Sequence, residues 1–231
     1  MKKIMTFMMI MSLAVLAWAH PKFMPVNPSQ TNFNETRADS LHGFDVTFYD
    51  IYLKINDSNH SISGFVNTTA NAYTDLNLIE YNLIGLTVDT VYVNNATVNF
   101  SHTNGIIQIP LNIPNGTSFS TRVVYHGNPV LSNDSYANGM TFLSNQVFTI
   151  SDPNAGRYWW PSYDHPWDKA RVNLHITVRS DWKVAANGIR SSIETNSDNT
   201  STHHWCGTNP MATYLVSVAA APYAEVNGTF Q

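Results

Sequence analysis

From Phe44 onward apolar and polar residues alternate, with Phe44, Val46 and Phe48 on one parity and Ile51, Leu53 and Ile55 on the other. A period of two marks a half-buried strand, and a change of parity around Tyr49 and Asp50 calls for a β-bulge or a strand that moves between sheets. Asn56-Asp57-Ser58-Asn59 is a turn cluster, after which Ile62, Gly64, Val66, Ala70 and Ala72 resume the extended pattern, so a hairpin is expected. The same grammar recurs at 76–83, 86–93, 96–100, 105–111 and 119–125, separated by Asn-Asn, Thr-Asn-Gly and Pro-Asn-Gly signals. Beyond a loop-rich zone at 127–139, apolar segments follow at 140–150, 172–178 and 182–186. A last strand pair is expected at 203–206 and 212–221, the latter apolar on both parities and so buried on both faces. Short strands at roughly 8–12-residue spacing predict an all-β fold of antiparallel sheets in a sandwich or saddle-like arrangement. No stretch after the leader sustains helical periodicity, so little helix is expected.

The first residues stand apart from this pattern. Lys2 and Lys3 precede an apolar stretch from Ile4 through Leu16, and Ala17-Trp18-Ala19 is a small-x-small site. Residues 1–19 therefore read as a signal peptide cleaved before His20, which implies a secreted protein, periplasmic or extracellular. The apolar run is short for a bilayer span, which needs about 20 residues, so no stable membrane span is expected. Residues 20–42, with Pro21, Pro25 and Pro28 and no periodicity, read as a polar arm, and the domain itself as 43–231. Loss of Lys2 and Lys3 with the leader takes the formal charge from −4 to −6. No Lys or Arg lies between Lys54 and Arg122, which removes any phosphate-tracking stripe and makes nucleic acid an improbable partner. The 43% of hydrophobic residues suffice for a core, although only 12% are charged. Cys206 is the single cysteine, so burial and not a disulfide must stabilise the fold.

Most catalytic signatures are missing. None of the nine histidines is directly followed by Glu, so the zinc-binding HExxH helix is absent. His203 and His204 are adjacent, and in a strand they point to opposite faces, so they cannot both bind one ion. There is no GxSxG elbow, no phosphate loop and no GxGxxG turn. No metal site and no catalytic residue is expected within the chain.

One stretch is too specific to be composition: Gly156-Arg157-Tyr158-Trp159-Trp160-Pro161-Ser162-Tyr163-Asp164-His165-Pro166-Trp167-Asp168-Lys169-Ala170, followed by Val172, Leu174, Ile176 and then Val184-Ala185-Ala186-Asn187-Gly188. Physical chemistry already constrains it. Arg157 and Asp164 would each be costly to bury alone, so they are expected to pair or to cap backbone groups. Trp159, Trp160 and Trp167 supply large anchors, while Pro161 and Pro166 fix the turn around Asp164. The stretch resembles the N-terminal domain of the M1 family of zinc aminopeptidases, in which Arg, an aromatic, Pro-Cys, Asp, Pro and Lys-Ala occur in this order before a strand and an Asn-Gly turn. Tyr49-Asp50-Ile51-Tyr52-Leu53 with Ile62-Ser63-Gly64 resembles the family's opening strands, and Asn209-Pro210-Met211-Ala212-Thr213-Tyr214-Leu215 its closing one. The likeness covers about 44–226.

The resemblance implies a structural motif of Arg157, Trp160, Pro161, Asp164, Pro166 and Lys169. It also implies a polar side chain just upstream of the Arg that helps hold the substrate's free α-amino group. Asp152 occupies that neighbourhood and has the right charge, but Asp152-Pro153-Asn154 is equally a turn initiator. Ser162 and His165 replace the family's Cys and Glu. In the family the zinc ligands, the catalytic Glu and the GxMEN loop lie beyond this domain, which implies a downstream catalytic domain as partner, zinc in that domain, and peptides as substrates. The expectation is a non-catalytic β domain that shapes the substrate cleft, present as a fragment, a truncated product or a stand-alone relative. A different class remains open: a secreted β-sandwich module for carbohydrate or cell surfaces, with Tyr158, Trp159 and Trp167 as a stacking platform.

Overall fold

The computed structural model describes residues 43–133 and 137–225. The expected signal peptide, the polar arm and the last six residues of the expected domain lie outside the described residues. In chain order the described strands are β1 (Phe44–Asn56), β2 (Ser61–Ala72), β3 (Leu76–Asn82), β4 (Thr87–Val93), β5 (Ala96–Val98), β6 (Ser101–Thr103), β7 (Ile106–Ile113) and β8 (Ser118–Gly127). There follow β9 (Gly139–Leu143), β10 (Gln146–Ile150), β11 (Arg171–Arg179), β12 (Lys183–Ala186), β13 (Ile189–Thr195), β14 (Thr200–Cys206) and β15 (Val218–Ala221). Helix among these residues is confined to two single 3-10 turns, Gly156–Tyr158 and Thr213–Leu215. No described helix is long and apolar enough to cross a membrane.

An eight-stranded sheet, in the order β13-β14-β11-β1-β2-β8-β4-β5, is joined by a four-stranded sheet, β12-β15-β10-β9, and a three-stranded one, β3-β7-β6. Alternate residues of the large sheet (Ile51, Leu53, Val66, Val123, Leu174, Ile176) are buried together with Ile79 and Ile107 of the three-stranded sheet and Val147, Val184 and Ala220 of the four-stranded one. All three sheets therefore share one core, and the all-β expectation holds. The ladders are antiparallel except that β1 and β11 run parallel. That pairing is possible because the long intervening chain provides the crossover that parallel neighbours require.

The change of parity in β1 is real but falls earlier than its sequence suggests. The register against β2 slips between Val46 and Phe48, so Tyr49 joins Ile51 and Leu53 inside while Phe48 turns outward beneath Arg171. The bulge strands backbone groups, and the carboxylate of Asp168 accepts the N–H of Val46 at 3.3 and 3.4 Å. The expected last strand pair is not a pair. β14 lies between β11 and β13 in the large sheet, whereas residues 212–221 break into a 3-10 turn and the short β15, which is flanked by β12 and β10. The segment reads as apolar on both parities because β15 is an inner strand of its sheet. β13 had no strand signal: it is an edge with Ile189 and Ile193 exposed, so neither of its faces carries a periodic pattern.

His203 faces inward from β14 at 1% exposure; its Nδ1 has no hydrogen-bond partner, and its Nε2 lies 3.2 Å from Ser201 Oγ. Burial, then Lys183 and Arg190, hold its pKa below the ordinary 6.5. The unfolded chain thus binds a proton here at a pH where the folded chain does not, so stability should fall as the pH drops through 6.5 and should be untouched above it. Urea unfolding at pH 7.5 and 5.5 is expected to show a smaller acid loss in His203→Gln than in the native sequence. Parallel pH profiles would contradict this.

Candidate functional site

The segment that follows β10 is built around two tryptophans. Trp159 and Trp160 have no exposed surface, and Trp160 meets Tyr49 edge-on with ring centroids 4.9 Å apart. Trp159 Nε1 donates to Ser151 Oγ at 3.0 Å, and its carbonyl accepts the Tyr125 hydroxyl at 3.1 Å. The Tyr49 hydroxyl accepts the N–H of Tyr163, and burial, followed by the charge of Asp168, lifts its pKa well above the usual phenol value. Burial likewise pushes Tyr81, bonded to Thr121 Oγ1, up to about 12. Both phenols are neutral structural groups across the physiological range.

Arg157 and Asp164 meet as their charges require. Arg157 Nε donates to Asp164 Oδ2 at 2.8 Å and a terminal nitrogen reaches the Asp164 carbonyl at 3.1 Å, while Thr213 Oγ1 donates to Oδ1 at 2.6 Å. Asn82 Oδ1 accepts the Asp164 N–H, and the Asn82 and Ser162 backbones form a bridge. Asp164 thereby ties together the aromatic segment and the turn before β15 through its carboxylate, and the end of β3 through its backbone N–H. Pro161 is buried at the start of this turn, whereas Pro166 and Lys169 are exposed at its end. The structural motif is thus one connected unit at Arg157, Trp160, Pro161 and Asp164, and open to solvent at Pro166 and Lys169.

Asp152 stands upstream, just past β10, in the turn that its sequence promised. Ala155 N–H closes the turn onto the Ser151 carbonyl at 2.7 Å, and the Asp152–Pro153 peptide is cis. Ser151 and Ala155 are buried on either side, but Asp152 is exposed. Its carbonyl accepts a hydrogen bond from Asn138 Nδ2, and Asn138 in turn donates its N–H to Ser132 Oγ and accepts the Ser132 N–H on its carbonyl. The carboxylate is therefore presented to solvent from a turn anchored at both ends, an arrangement able to hold an ammonium group.

Residues 46–215 match the model of the peptidase M1 N-terminal domain. The chain belongs to this family. It is similar to leucine aminopeptidase 2 of Vanderwaltozyma polyspora, at 26% identity over 217 residues that take in 89% of this chain and 32% of that protein. Among solved structures it resembles the M1 zinc metallopeptidase of Deinococcus radiodurans, with a TM-score of 0.74 and 26% identity over 78% of this chain and 42% of that one. Aminopeptidase A of Legionella pneumophila, at 14% identity and a TM-score of 0.69 over 78% of this chain and 21% of that one, shares the fold. The chain thus spans about a third to two-fifths of the length of the first two relatives.

For this M1 N-terminal domain burial does not favour the stacking-platform reading. Trp159 is inside the core, Tyr158 and Trp167 are half-buried, and Trp167 belongs to a tilted file with His165 and Tyr163, at centroid distances of 4.7 and 4.3 Å. Ser162, where the family has Cys, is fully buried with an unpartnered hydroxyl, and His165 packs between two rings. Among the described residues no three His, Cys, Asp or Glu side chains converge on a common point. Sequence reading passed over Asp168, Asn82, Thr213 and Asn138. Each works through a partner at least 14 positions away, and a lone Asn, Asp or Thr has no local pattern to flag it.

Proposed function

We propose that this domain forms a non-catalytic wall of the substrate cleft in an exported M1 zinc aminopeptidase, with Asp152 gripping the free α-ammonium of the peptide. Family membership and the aminopeptidase and metallopeptidase relatives support the reaction class, and the leader at 1–19 supports export. The observation that carries the reading is the exposed carboxylate at the mouth of a fixed turn, five positions before Arg157. A carboxylate there favours substrates with a charged N-terminus over blocked ones and limits cleavage to the first residue. Zinc and the groups that work with it are proposed for the catalytic part of the longer protein, and the residues described here have no step in that chemistry.

In the enzyme containing this domain, Asp152→Asn is expected to lower kcat/KM for free-amine peptide substrates about 10–100-fold, the value of a charge-assisted hydrogen bond. Unchanged kinetics would remove Asp152 from the site. The 231-residue chain alone is expected to release no amino acids from peptides. Zinc-dependent release by it would overturn the non-catalytic reading.

A further inference from the structure

The face of the eight-stranded sheet turned away from the core carries a transverse row of rings. Phe65 of β2 sits opposite Tyr52 of β1, Tyr52 opposite His175 of β11, and His175 opposite His204 of β14. Leu174 and Ile176 occupy the core side of β11, so His175 projects outward. Tyr52 stacks on Phe65 and on His175, with centroid distances of 4.5 and 4.2 Å, which holds the His175 ring upright on the sheet.

The two imidazoles meet Nδ1 to Nδ1 at 2.6 Å. Behind His175, Nε2 lies 2.8 Å from Asp50 Oδ1; behind His204, Nε2 lies within ion-pair distance of Glu194 Oε2, at 3.7 Å. An ionised carboxylate only accepts, so the hydrogen-bonded Nε2 of His175 is the donor to Asp50 and its Nδ1 turns a lone pair toward His204. That lone pair takes either the Nδ1–H of His204 or, once His204 gives up that hydrogen, a cation held by both rings. A carboxylate on the far nitrogen of an imidazole is also the outer-sphere arrangement that orients metal-binding histidines and raises their basicity. Here Asp50 stands behind His175 at hydrogen-bonding distance, and Glu194 stands farther behind His204 at 3.7 Å.

We propose that His175 and His204 form a two-imidazole site for a divalent late transition ion, Cu2+ foremost, on the outer face of the large sheet. Asp50 and Glu194 stand behind the rings, offsetting the ion's charge without ligating it, which is why no cluster of three ligating side chains surrounds a common point among the described residues. Bonds of about 2.0–2.1 Å place ligand nitrogens about 2.9 Å apart at a right angle and about 3.3 Å apart in a tetrahedron. The observed 2.6 Å needs an opening of only a few tenths of an ångström for the first and much more for the second, which favours a tetragonal ion over Zn2+. Side-chain exposures of 13% for His175 and 21% for His204 leave the remaining positions to water. The Thr177 and Thr202 hydroxyls, 2.8 Å apart on the next rung, extend the polar floor. This site is independent of Asp152 and of any catalytic zinc.

Titration of the full 231-residue chain with Cu2+, followed by electron paramagnetic resonance and calorimetry, tests the site. The expected result is one equivalent bound, with superhyperfine coupling to two nitrogens and tighter binding than Zn2+. His204→Gln is expected to remove one nitrogen coupling and weaken binding at least tenfold. Asp50→Asn should keep both nitrogens and weaken binding about 10–100-fold. Thermal unfolding without metal establishes that each variant is folded before it is compared. Absence of binding up to about 1 mM Cu2+ would leave a shared proton as the only bridge and overturn the site. Equal binding by the His175→Gln, His204→Gln double variant would place the copper elsewhere and overturn it too, and preference for Zn2+ would overturn the choice of ion.

Discussion

Replacing Arg157 with alanine is expected to cost about 3–5 kcal/mol of folding stability, because it leaves the Asp164 carboxylate charged inside the protein without its counter-ion. The asymmetry of the pair sets this expectation: the Asp164 side chain is 1% exposed and the Arg157 side chain 22%. Water can solvate a guanidinium left alone at that position, but it cannot reach the carboxylate. The Thr213 Oγ1 donor that remains does not replace a full positive charge. Arg157→Lys should fall between, since an ammonium cannot serve both Oδ2 and the Asp164 carbonyl as the planar fork does. Adding Asp164→Asn to Arg157→Ala should recover much of the loss, as an amide is cheaper to bury unpaired than a carboxylate. Urea unfolding of the three variants beside the native protein checks the order. A loss below about 1 kcal/mol in Arg157→Ala would mean that Asp164 finds water after all.

That pair was legible in the sequence because both charges lie seven residues apart in one aromatic, Pro-bounded segment. The inner strands were legible for a similar reason: one wet face and one dry face impose alternation on β1, β2, β8 and β11. Where both sides of a strand meet the same environment, the signal vanishes. β13 is wet on both sides and gave no pattern, while Thr213–Leu215 is a 3-10 turn within a mostly apolar segment, and composition cannot separate that turn from a buried strand. Pairing partners were illegible too, since the parallel β1–β11 neighbours lie more than a hundred residues apart. The candidate site shows the same limit. Asp152 could be found by counting back from Arg157, but its support from Asn138 and the capping of the β1 bulge by Asp168 depend on loops that meet only in space. His175 and His204 were equally hidden, because the informative fact is a register, not a spacing.

The two core tryptophans differ in the circumstances of one atom, the indole Nε1. Trp160→Ala and Trp159→Ala are each expected to lose about 3–5 kcal/mol, the transfer free energy of the ring plus the cavity it leaves. Substitution by phenylalanine should separate them. Trp160 Nε1 is buried without a hydrogen-bond partner, so Trp160→Phe removes a group that already suffers desolvation and recovers part of the lost packing. Trp159 Nε1 donates to Ser151 Oγ, which reaches the Val216 carbonyl only at 3.4 Å, so Trp159→Phe discards a good hydrogen bond and weakens the tie that positions the residue before Asp152. Trp159→Phe is therefore expected to be the less stable of the two by about 1–2 kcal/mol, and chemical denaturation of both resolves a difference of that size. The reverse order would mean that edge-on packing of Trp160 against Tyr49 outweighs its unpaired N–H. Because Ser151 leads directly into the Asp152 turn, Trp159→Phe should also loosen Asp152, and in the enzyme containing this domain it should raise KM more than it lowers kcat. Trp160→Phe, buried against Tyr49 on the far side of the segment, should leave both constants near their native values.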